Sequence, residues 1–115
     1  MGSDTDLEAF ATAHAGGAFV IDVREPREYL DGHVPGALLV PIAQLLSRLS
    51  ELPKDEPVFL VCASGNRSKT ATSWLRDRGF DANSVAGGAS GWISSGRSVV
   101  SGPEPDASEP DASVA

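Results

Sequence analysis

Along the chain, the pattern of apolar and polar residues switches between one typical of strands and one typical of helices. Three short apolar runs predict buried strands: residues 18–23, 38–40 and 58–61. A weaker strand is predicted over residues 84–86, before a tight turn at Gly87 and Gly88. Because helical patterns separate these strands, the chain is predicted to be an α/β protein, with a mostly parallel sheet and helices on both faces.

Helix signals fill the gaps between the predicted strands. Thr5 and Glu8 have the spacing of a capping box, so a short helix is predicted to begin at Thr5. Pro26 is predicted to open a second helix and Pro41 a third. In the third helix, four apolar side chains at helical spacing are predicted to face the core: Ile42, Leu45, Leu46 and Leu49.

The apolar run at residues 58–61 ends at Cys62, the single cysteine of the chain. Small and polar residues separate Cys62 from a helical pattern that is predicted to begin at Lys69. The thiol is therefore predicted to lie in a loop between the carboxyl end of a strand and the amino end of a helix. In open α/β sheets this is the usual position of a ligand.

The predicted setting of Cys62 favours a thiolate. Unpaired N–H groups at a helix start carry partial positive charge, and Arg67 and Lys69 add two full charges. In such settings the pKa of a cysteine, about 8.5 when free, can fall to roughly 3.5–7.5. The helix end alone supplies about 0.3–1 kcal/mol, so the cations and a ring of N–H groups are expected to supply the rest. Gly65 allows the tight turn that aims those groups inward.

A buried core cysteine is the alternative interpretation, because most free cysteines behave as small hydrophobic residues. The position of Cys62 alone does not separate a core residue from a nucleophile. Arg67 and Gly65, which follow within five residues, favour the nucleophile.

Composition limits the classes of function. A chain of 115 residues predicts one domain, and a net charge of −7 argues against nucleic acid and anionic membranes as partners. No apolar run is long enough to cross a membrane, and no signal-peptide pattern follows the amino terminus. With one cysteine, a reducing, cytoplasmic setting is expected. One cysteine and two separated histidines do not form a usual zinc site, so no metal is expected. No cofactor is predicted either.

The carboxyl-terminal segment has a different composition from the rest of the chain. The sequence EPDAS occurs twice in succession, and the segment contains four acidic residues and no aromatic residue. Residues 101–115 are therefore predicted to be a disordered acidic tail without chemistry, and residues 5–100 to be the folded domain.

Four motifs resemble those of the single-domain rhodaneses, a family of sulfurtransferases, and occur in that family's order. They are DVRE at residues 22–25, EYLDGHVPGALLVP at 28–41, CASGNRS at 62–68 and GGASGW at 87–92. Each motif alone is a weak signal, whereas four in order at plausible spacing are a strong one. The resemblance covers nearly all of residues 7–100 and implies a rhodanese-like fold of about five parallel strands wrapped by helices.

The resemblance also implies roles for the matching residues. Cys62 matches the nucleophile that accepts a sulfane sulfur atom and becomes a persulfide. Arg67 matches the basic residue that closes the loop, while Asp22, Arg24 and His33 match residues that support it. A general-base role for His33 is disfavoured. The implied substrate-binding cradle comprises Ala63, Ser64, Gly65, Asn66, Arg67 and Ser68.

Sulfur bound to Cys62 would have to leave to an external acceptor, because the chain has no second cysteine to resolve a persulfide. Acceptors of this kind are cyanide, a small thiol and a cysteine of a partner protein. Thiosulfate or a persulfide would serve as the donor. The loop has a neutral Ala63 and is not richly basic, which argues against strong thiosulfate activity.

Two alternative functions remain open from the sequence. Phosphatases and arsenate reductases of the same fold also use a cysteine–arginine loop, but theirs is longer than the four residues between Cys62 and Arg67. A non-catalytic rhodanese-like binding module is the other alternative. Modules of that kind commonly lack the cysteine, which is present here.

Overall fold

Five parallel strands form the sheet of this protein, whose computed structural model describes residues 4–106. The strands are β1 (Asp4–Thr5), β2 (Phe19–Asp22), β3 (Leu38–Leu39), β4 (Val58–Val61) and β5 (Ala82–Val85). Their order across the sheet is β1-β5-β4-β2-β3, so β4 lies in the middle. The predicted parallel sheet is confirmed, and the strand that leads to Cys62 is its central strand.

Helices cover both faces of this sheet, as predicted. They are α1 (Leu7–Ala15), α2 (Pro26–Asp31), α3 (Asn66–Asp77) and α4 (Gly88–Ser94), together with two 3₁₀ helices, Ile42–Ser47 and Leu49–Glu51. Helix α3 and the 3₁₀ helices pack on one face, while α1, α2 and α4 pack on the other. Each face has its own hydrophobic core.

Strand β4 shows why its sequence is apolar at every position. Val58 and Leu60 belong to the core under α3, whereas Phe59 and Val61 belong to the core under α1 and α4. Successive side chains of a strand point to opposite faces, so a strand covered on both sides needs a continuous apolar run. Cys62 continues the alternation on the α3 side.

Helix α1 begins later than its predicted capping box. Its N-cap is Asp6, whose carboxylate accepts a hydrogen bond of 2.8 Å from the Ala9 N–H group. Thr5 instead lies in β1, where it pairs with Val85 of β5. The prediction of a cap at Thr5 was wrong because strand pairing holds that residue in the sheet and Asp6 is itself a strong N-cap.

The prediction that Leu46 faces the core was also wrong, since this residue is 43% exposed. Residues 42–47 form a 3₁₀ helix with three residues per turn, so Ile42 and Leu45 lie on one side and Leu46 turns away from it. Leu45 is fully buried, and Ile42 and Leu49 pack against the same core.

Residues 101–106 pack against the domain, which corrects the prediction of disorder from residue 101 onward. The Gly102 N–H group donates to the Leu30 carbonyl oxygen, and the Gly36 N–H group donates to that of Pro105, each at 2.9 Å. The folded part therefore extends past residue 100. The second EPDAS repeat lies outside the described residues. Within residues 4–106, no helix combines the length and apolar character needed to cross a membrane.

Candidate active site

Cys62 lies directly after β4, at the carboxyl end of the central strand, and the residue is 1% exposed. Its sulfur accepts a hydrogen bond of 3.0 Å from the Gly65 N–H group. The Ser68 hydroxyl oxygen lies 3.5 Å from the same sulfur. The sulfur is thus sheltered from solvent but surrounded by hydrogen-bond donors.

Helix α3 begins at Asn66, three residues before the predicted start at Lys69. Asn66, Arg67 and Ser68 therefore belong to its first turn. Gly65 is the N-cap and has a φ of +107°, in the region that favours glycine. Because glycine offers no side-chain acceptor, the Cys62 sulfur supplies one for N–H groups at this helix start.

Burial raises the pKa of the Cys62 thiol, but hydrogen bonds lower it by more. The Ser68 hydroxyl makes the largest of these contributions, followed by the N–H groups of Ser68, Gly65 and Ser64. The net result is a pKa below the ordinary value for cysteine. A thiol in such surroundings ionises more readily, and the thiolate is the reactive form of cysteine.

The neighbouring cations contribute less to this effect than predicted. The Arg67 guanidinium binds the Glu28 carboxylate through two contacts of 3.1 Å, and the Lys69 ammonium lies 3.5 Å from Asp4. Proximity to Cys62 raises the pKa of Arg67, but less than Glu28 does. The largest contributions that lower the pKa of Cys62 come from N–H and O–H dipoles of the loop and helix start. Both cations instead bind carboxylates.

Helix α4 holds the loop in place from the other side. The Ala89 N–H group donates to the Cys62 carbonyl oxygen at 2.7 Å, and the Ser90 N–H group donates to that of Ala63 at 3.0 Å. Gly88 has a φ of +55°, and a Cβ atom there would lie 2.2 Å from the Cys62 carbonyl oxygen. The second glycine of GGASGW therefore permits a backbone contact with the candidate nucleophile.

A second serine completes the buried surroundings of the sulfur. The Ser84 hydroxyl of β5 lies 2.7 Å from the Ser68 hydroxyl, and both residues are fully buried. No motif or spacing grouped Ser84 with Cys62, since the pattern around Ser84 indicated only a weak strand. A polar residue in a short strand of an otherwise apolar core was the available signal.

Asp22 and Arg24 form a buried ion pair at the end of β2, next to β4. The Arg24 guanidinium contacts the Asp22 carboxylate at 2.8 Å and also donates to the Gly32 carbonyl oxygen at 2.8 Å. The pair thus joins β2 to the end of α2. Since α2 carries Glu28, the partner of Arg67, any support that the pair gives the loop is indirect.

His33 is fully buried and lies parallel to Tyr29, with ring centroids 3.6 Å apart. Its Nδ1 atom lies 2.8 Å from the Tyr29 carbonyl oxygen, and its Nε2 atom lies 2.9 Å from that of Glu104. Both ring nitrogens thus have backbone partners, which fits a packing role and leaves none for a proton-transfer role. Among residues 4–106, no three His, Cys, Asp or Glu side chains are grouped so as to bind a metal.

The model of the rhodanese-like domain family matches residues 6–95. The chain belongs to this family. An uncharacterized protein of Bacillus subtilis, YqhL, is 41% identical over 76 residues, which make up 65% of this chain and 60% of that protein. The chain therefore matches less than two thirds of the length of this curated relative.

Two solved structures share the fold of this rhodanese-like domain. A rhodanese-related protein from Thermoplasma volcanium is 30% identical, with a TM-score of 0.80 over 85% of this chain and 97% of that one. A rhodanese-like domain protein from Staphylococcus aureus is 28% identical, with a TM-score of 0.74 over 79% of this chain and 91% of that one. These similarities agree with the predicted fold.

Proposed function

We propose that this rhodanese-like domain is a sulfurtransferase that carries sulfane sulfur on Cys62. The donor is thiosulfate or a persulfide, and the acceptor is cyanide, a small thiol or a cysteine of a partner protein. The observation that carries the proposal is the position of the Cys62 sulfur, which lies 3.0 Å from the Gly65 N–H group and 3.5 Å from the Ser68 hydroxyl oxygen. The N–H groups of Ser64 and Ser68 also lower the pKa of this thiol. Donors arranged in this way stabilise an anion on sulfur before and after attack.

The reaction consists of two displacements at sulfur. The Cys62 thiolate attacks the sulfane sulfur of the donor, a sulfur–sulfur bond forms, and the donor leaves as sulfite or a thiolate. The product is a persulfide anion on Cys62. The acceptor then attacks the outer sulfur, takes it, and releases the Cys62 thiolate. Each step exchanges one bond to sulfur for another, so no external oxidant or reductant is consumed.

Access to the sulfur requires local movement of the loop. Cys62 is 1% exposed, whereas Ser64 and Asn66 of the same loop are exposed. Two of the loop's carbonyl groups are fixed by α4, so the segment around Ser64 is the part with room to shift. A small donor therefore needs less displacement than a folded protein, and we expect small persulfides to load Cys62 faster than protein donors do.

Phosphate-ester chemistry fits this loop less well. Only four residues separate Cys62 from Arg67, and the Arg67 guanidinium is already bound by the Glu28 carboxylate. A phosphate bound in the bidentate manner by this arginine would compete with Glu28 for the guanidinium. Hydrolysis of an aryl phosphate that depends on Cys62 would overturn the choice of sulfur over phosphate.

Mass spectrometry after mixing with a sulfane donor tests the proposal directly. The Cys62 peptide is expected to gain the mass of one sulfur atom and to lose it when cyanide or a thiol is added. A panel of donors at matched concentration identifies the preferred one, with Cys62→Ala as the blank. A folded wild-type protein whose Cys62 peptide gains no sulfur from any donor would instead support a non-catalytic module.

A further inference from the structure

Two buried hydroxyl groups connect the Cys62 sulfur to strand β5. The Ser68 oxygen lies 3.5 Å from the sulfur, and the Ser84 oxygen lies 2.7 Å from the Ser68 oxygen. Both serines are 0% exposed, so bulk water does not compete for these contacts. In such surroundings the direction of each O–H bond matters for the charge on the sulfur.

The Ser68 hydroxyl has one proton and three neighbours that can interact with it. These are the Cys62 sulfur, the Gly65 carbonyl oxygen at 3.2 Å and the Ser84 hydroxyl oxygen. The carbonyl oxygen only accepts, and a thiolate also only accepts. Ser68 therefore stabilises the thiolate only when its proton points at the sulfur rather than at Gly65 or Ser84.

Ser84 decides whether that arrangement is available. Among residues 4–106, the only hydrogen-bond partner of the Ser84 hydroxyl is the Ser68 oxygen. The Ser84 proton then has one acceptor, and its donation leaves the Ser68 proton to the sulfur and the Gly65 carbonyl oxygen. Of these two acceptors the ionised sulfur is the stronger, because it is charged. A Ser68 hydroxyl that donated to Ser84 would have no proton left for the thiolate.

We propose that Ser84 is a positioning residue whose O–H group donates to Ser68 and thereby directs the Ser68 O–H group onto the ionised Cys62 sulfur. Its importance for turnover rests on the proposed sulfurtransferase function, whereas its effect on the thiol does not. Hydrogen bonding from Ser68 is the largest contribution that lowers the pKa of Cys62, which agrees with this role.

Replacing Ser84 does not alter the charged groups near the loop. Arg67 of α3 is paired with Glu28 of α2, and Lys69 is paired with Asp4 of β1. At the end of β2, the buried Arg24 and Asp22 side chains bind each other. Replacing the uncharged Ser84 leaves these pairs in place, so a change in thiol ionisation is assigned to the hydroxyl chain.

The test is the pH dependence of Cys62 alkylation by iodoacetamide in the intact protein. Ser84→Ala is expected to raise the midpoint by roughly 0.5–1 pH unit, because the Ser68 oxygen loses the donor that strengthens its own O–H bond to the sulfur, and the Ser68 proton can turn to the Gly65 carbonyl oxygen instead. Thr72→Val is the matched control, since Thr72 is also fully buried and lies on α3, and within residues 4–106 its hydroxyl has no hydrogen-bond partner. The midpoint of Thr72→Val is expected to equal that of the wild type.

A double-mutant cycle shows whether Ser84 acts through Ser68. In a Ser68→Ala background, Ser84→Ala is expected to cause no further rise of the midpoint. An equal rise in both backgrounds, or no rise from Ser84→Ala alone, overturns the proposal. Where Ser84→Ala fails to fold, Ser84→Cys keeps the size and a weaker donor, and alkylation of Cys62 is followed on its own peptide. A smaller rise is then expected, and no rise overturns the proposal.

Alkylation requires no sulfur donor, which separates this proposal from the preceding one. A wild-type protein with a low alkylation midpoint that transfers no sulfur would argue against the sulfurtransferase function but not against the positioning role of Ser84. A Ser84→Ala variant with an unchanged midpoint would argue against the positioning role alone.

Discussion

At the scale of single residues, Cys62 shows how burial and activation are combined. Burial alone raises the pKa of a thiol and makes it inert. Here the Ser68 hydroxyl and three backbone N–H groups offset that cost, so the net shift of the pKa is downward. The N–H dipoles are fixed by the backbone of the loop, and we therefore expect them to act without rearrangement when charge develops on sulfur.

The lowered pKa of Cys62 predicts a specific pH dependence. In the folded protein the alkylation midpoint is expected below about 8.5, the value for a free cysteine. Because the folded state favours the thiolate, the contribution of Cys62 to the stability of the fold is complete at pH values above the pKa of the unfolded state. That contribution is lost as the pH falls through the folded-state pKa. Alkylation rates of native and urea-unfolded protein, compared from pH 5 to 10, check this; equal midpoints would contradict it.

The buried pair of Asp22 and Arg24 predicts a large effect on stability. Arg24→Ala leaves the carboxylate of Asp22, which is 0% exposed, without its cation. The free energy of unfolding is expected to fall by about 3–5 kcal/mol, as for other broken buried pairs. Urea unfolding measures this change.

Lys69→Ala is the control for this prediction, because the Lys69–Asp4 pair is at least 40% exposed on both sides. Its cost is expected to stay below about 1 kcal/mol. A similar fall in the free energy of unfolding in Arg24→Ala and Lys69→Ala would show that burial does not determine the cost of breaking an ion pair.

At the scale of elements, the candidate site depends on a junction of β4, α3 and α4. Strand β4 delivers the cysteine, the start of α3 supplies N–H groups to the sulfur, and α4 binds the carbonyl oxygens of Cys62 and Ala63. Because α4 binds these carbonyl groups on the outer side of the loop, the N–H groups of the following residues face the sulfur. The two helix starts thus act on opposite sides of one loop.

Gly88→Ala is expected to disturb this junction. Its Cβ atom would lie 2.2 Å from the Cys62 carbonyl oxygen, and its φ of +55° costs alanine roughly 1–2 kcal/mol. The loop must move away from α4, so we expect lower stability and a higher alkylation midpoint for Cys62. Urea unfolding and the pH dependence of alkylation measure the two effects.

Gly91→Ala is the matched control on the same helix. A Cβ atom at Gly91 would have no neighbour within 4 Å among the described residues outside the helix's own turn. This variant is expected to keep the wild-type alkylation midpoint and to gain about 0.5–1 kcal/mol of stability from better helix propensity. A higher midpoint in both variants would mean that α4 does not act through the Gly88 contact.

At the scale of the whole molecule, residues 101–106 connect parts of the chain that are distant in sequence. The carbonyl oxygen of Glu104 lies 2.9 Å from the ring of His33, and Gly102 binds Leu30 of α2. His33 in turn stacks on Tyr29 of the same helix. Residues 101–106, the start of the acidic tail, are therefore part of the folded domain.

A chain that ends at Ser101 is expected to be less stable than one that ends at Asp106. The shorter chain loses the hydrogen bonds of Gly102 and Pro105 and leaves the Nε2 atom of the buried His33 without the carbonyl oxygens of Glu104 and Pro105. A lost partner of a buried polar group costs about 1–3 kcal/mol. Urea unfolding of the two chains measures the difference, and equal stability would show that these contacts contribute nothing.

The sequence alone determined the fold and the position of the candidate nucleophile. A four-residue apolar run between turn-forming residues is typical of a strand covered on both faces, so Val58–Val61 indicated a buried strand of a parallel sheet. Gly65 indicated the turn after Cys62, and the four motifs indicated the family. These signals are local, because each depends on residues that are neighbours in the chain.

Only the tertiary structure decided how that position is surrounded. Ser84 reaches Ser68 across 16 residues, Arg67 finds Glu28 across 39, and His33 meets Glu104 across 71. No pattern in the sequence reports such distances, since many partners are compatible with one serine or one arginine. Packing of the strands and helices selects among them, and that selection determines which groups lower the pKa of the buried thiol.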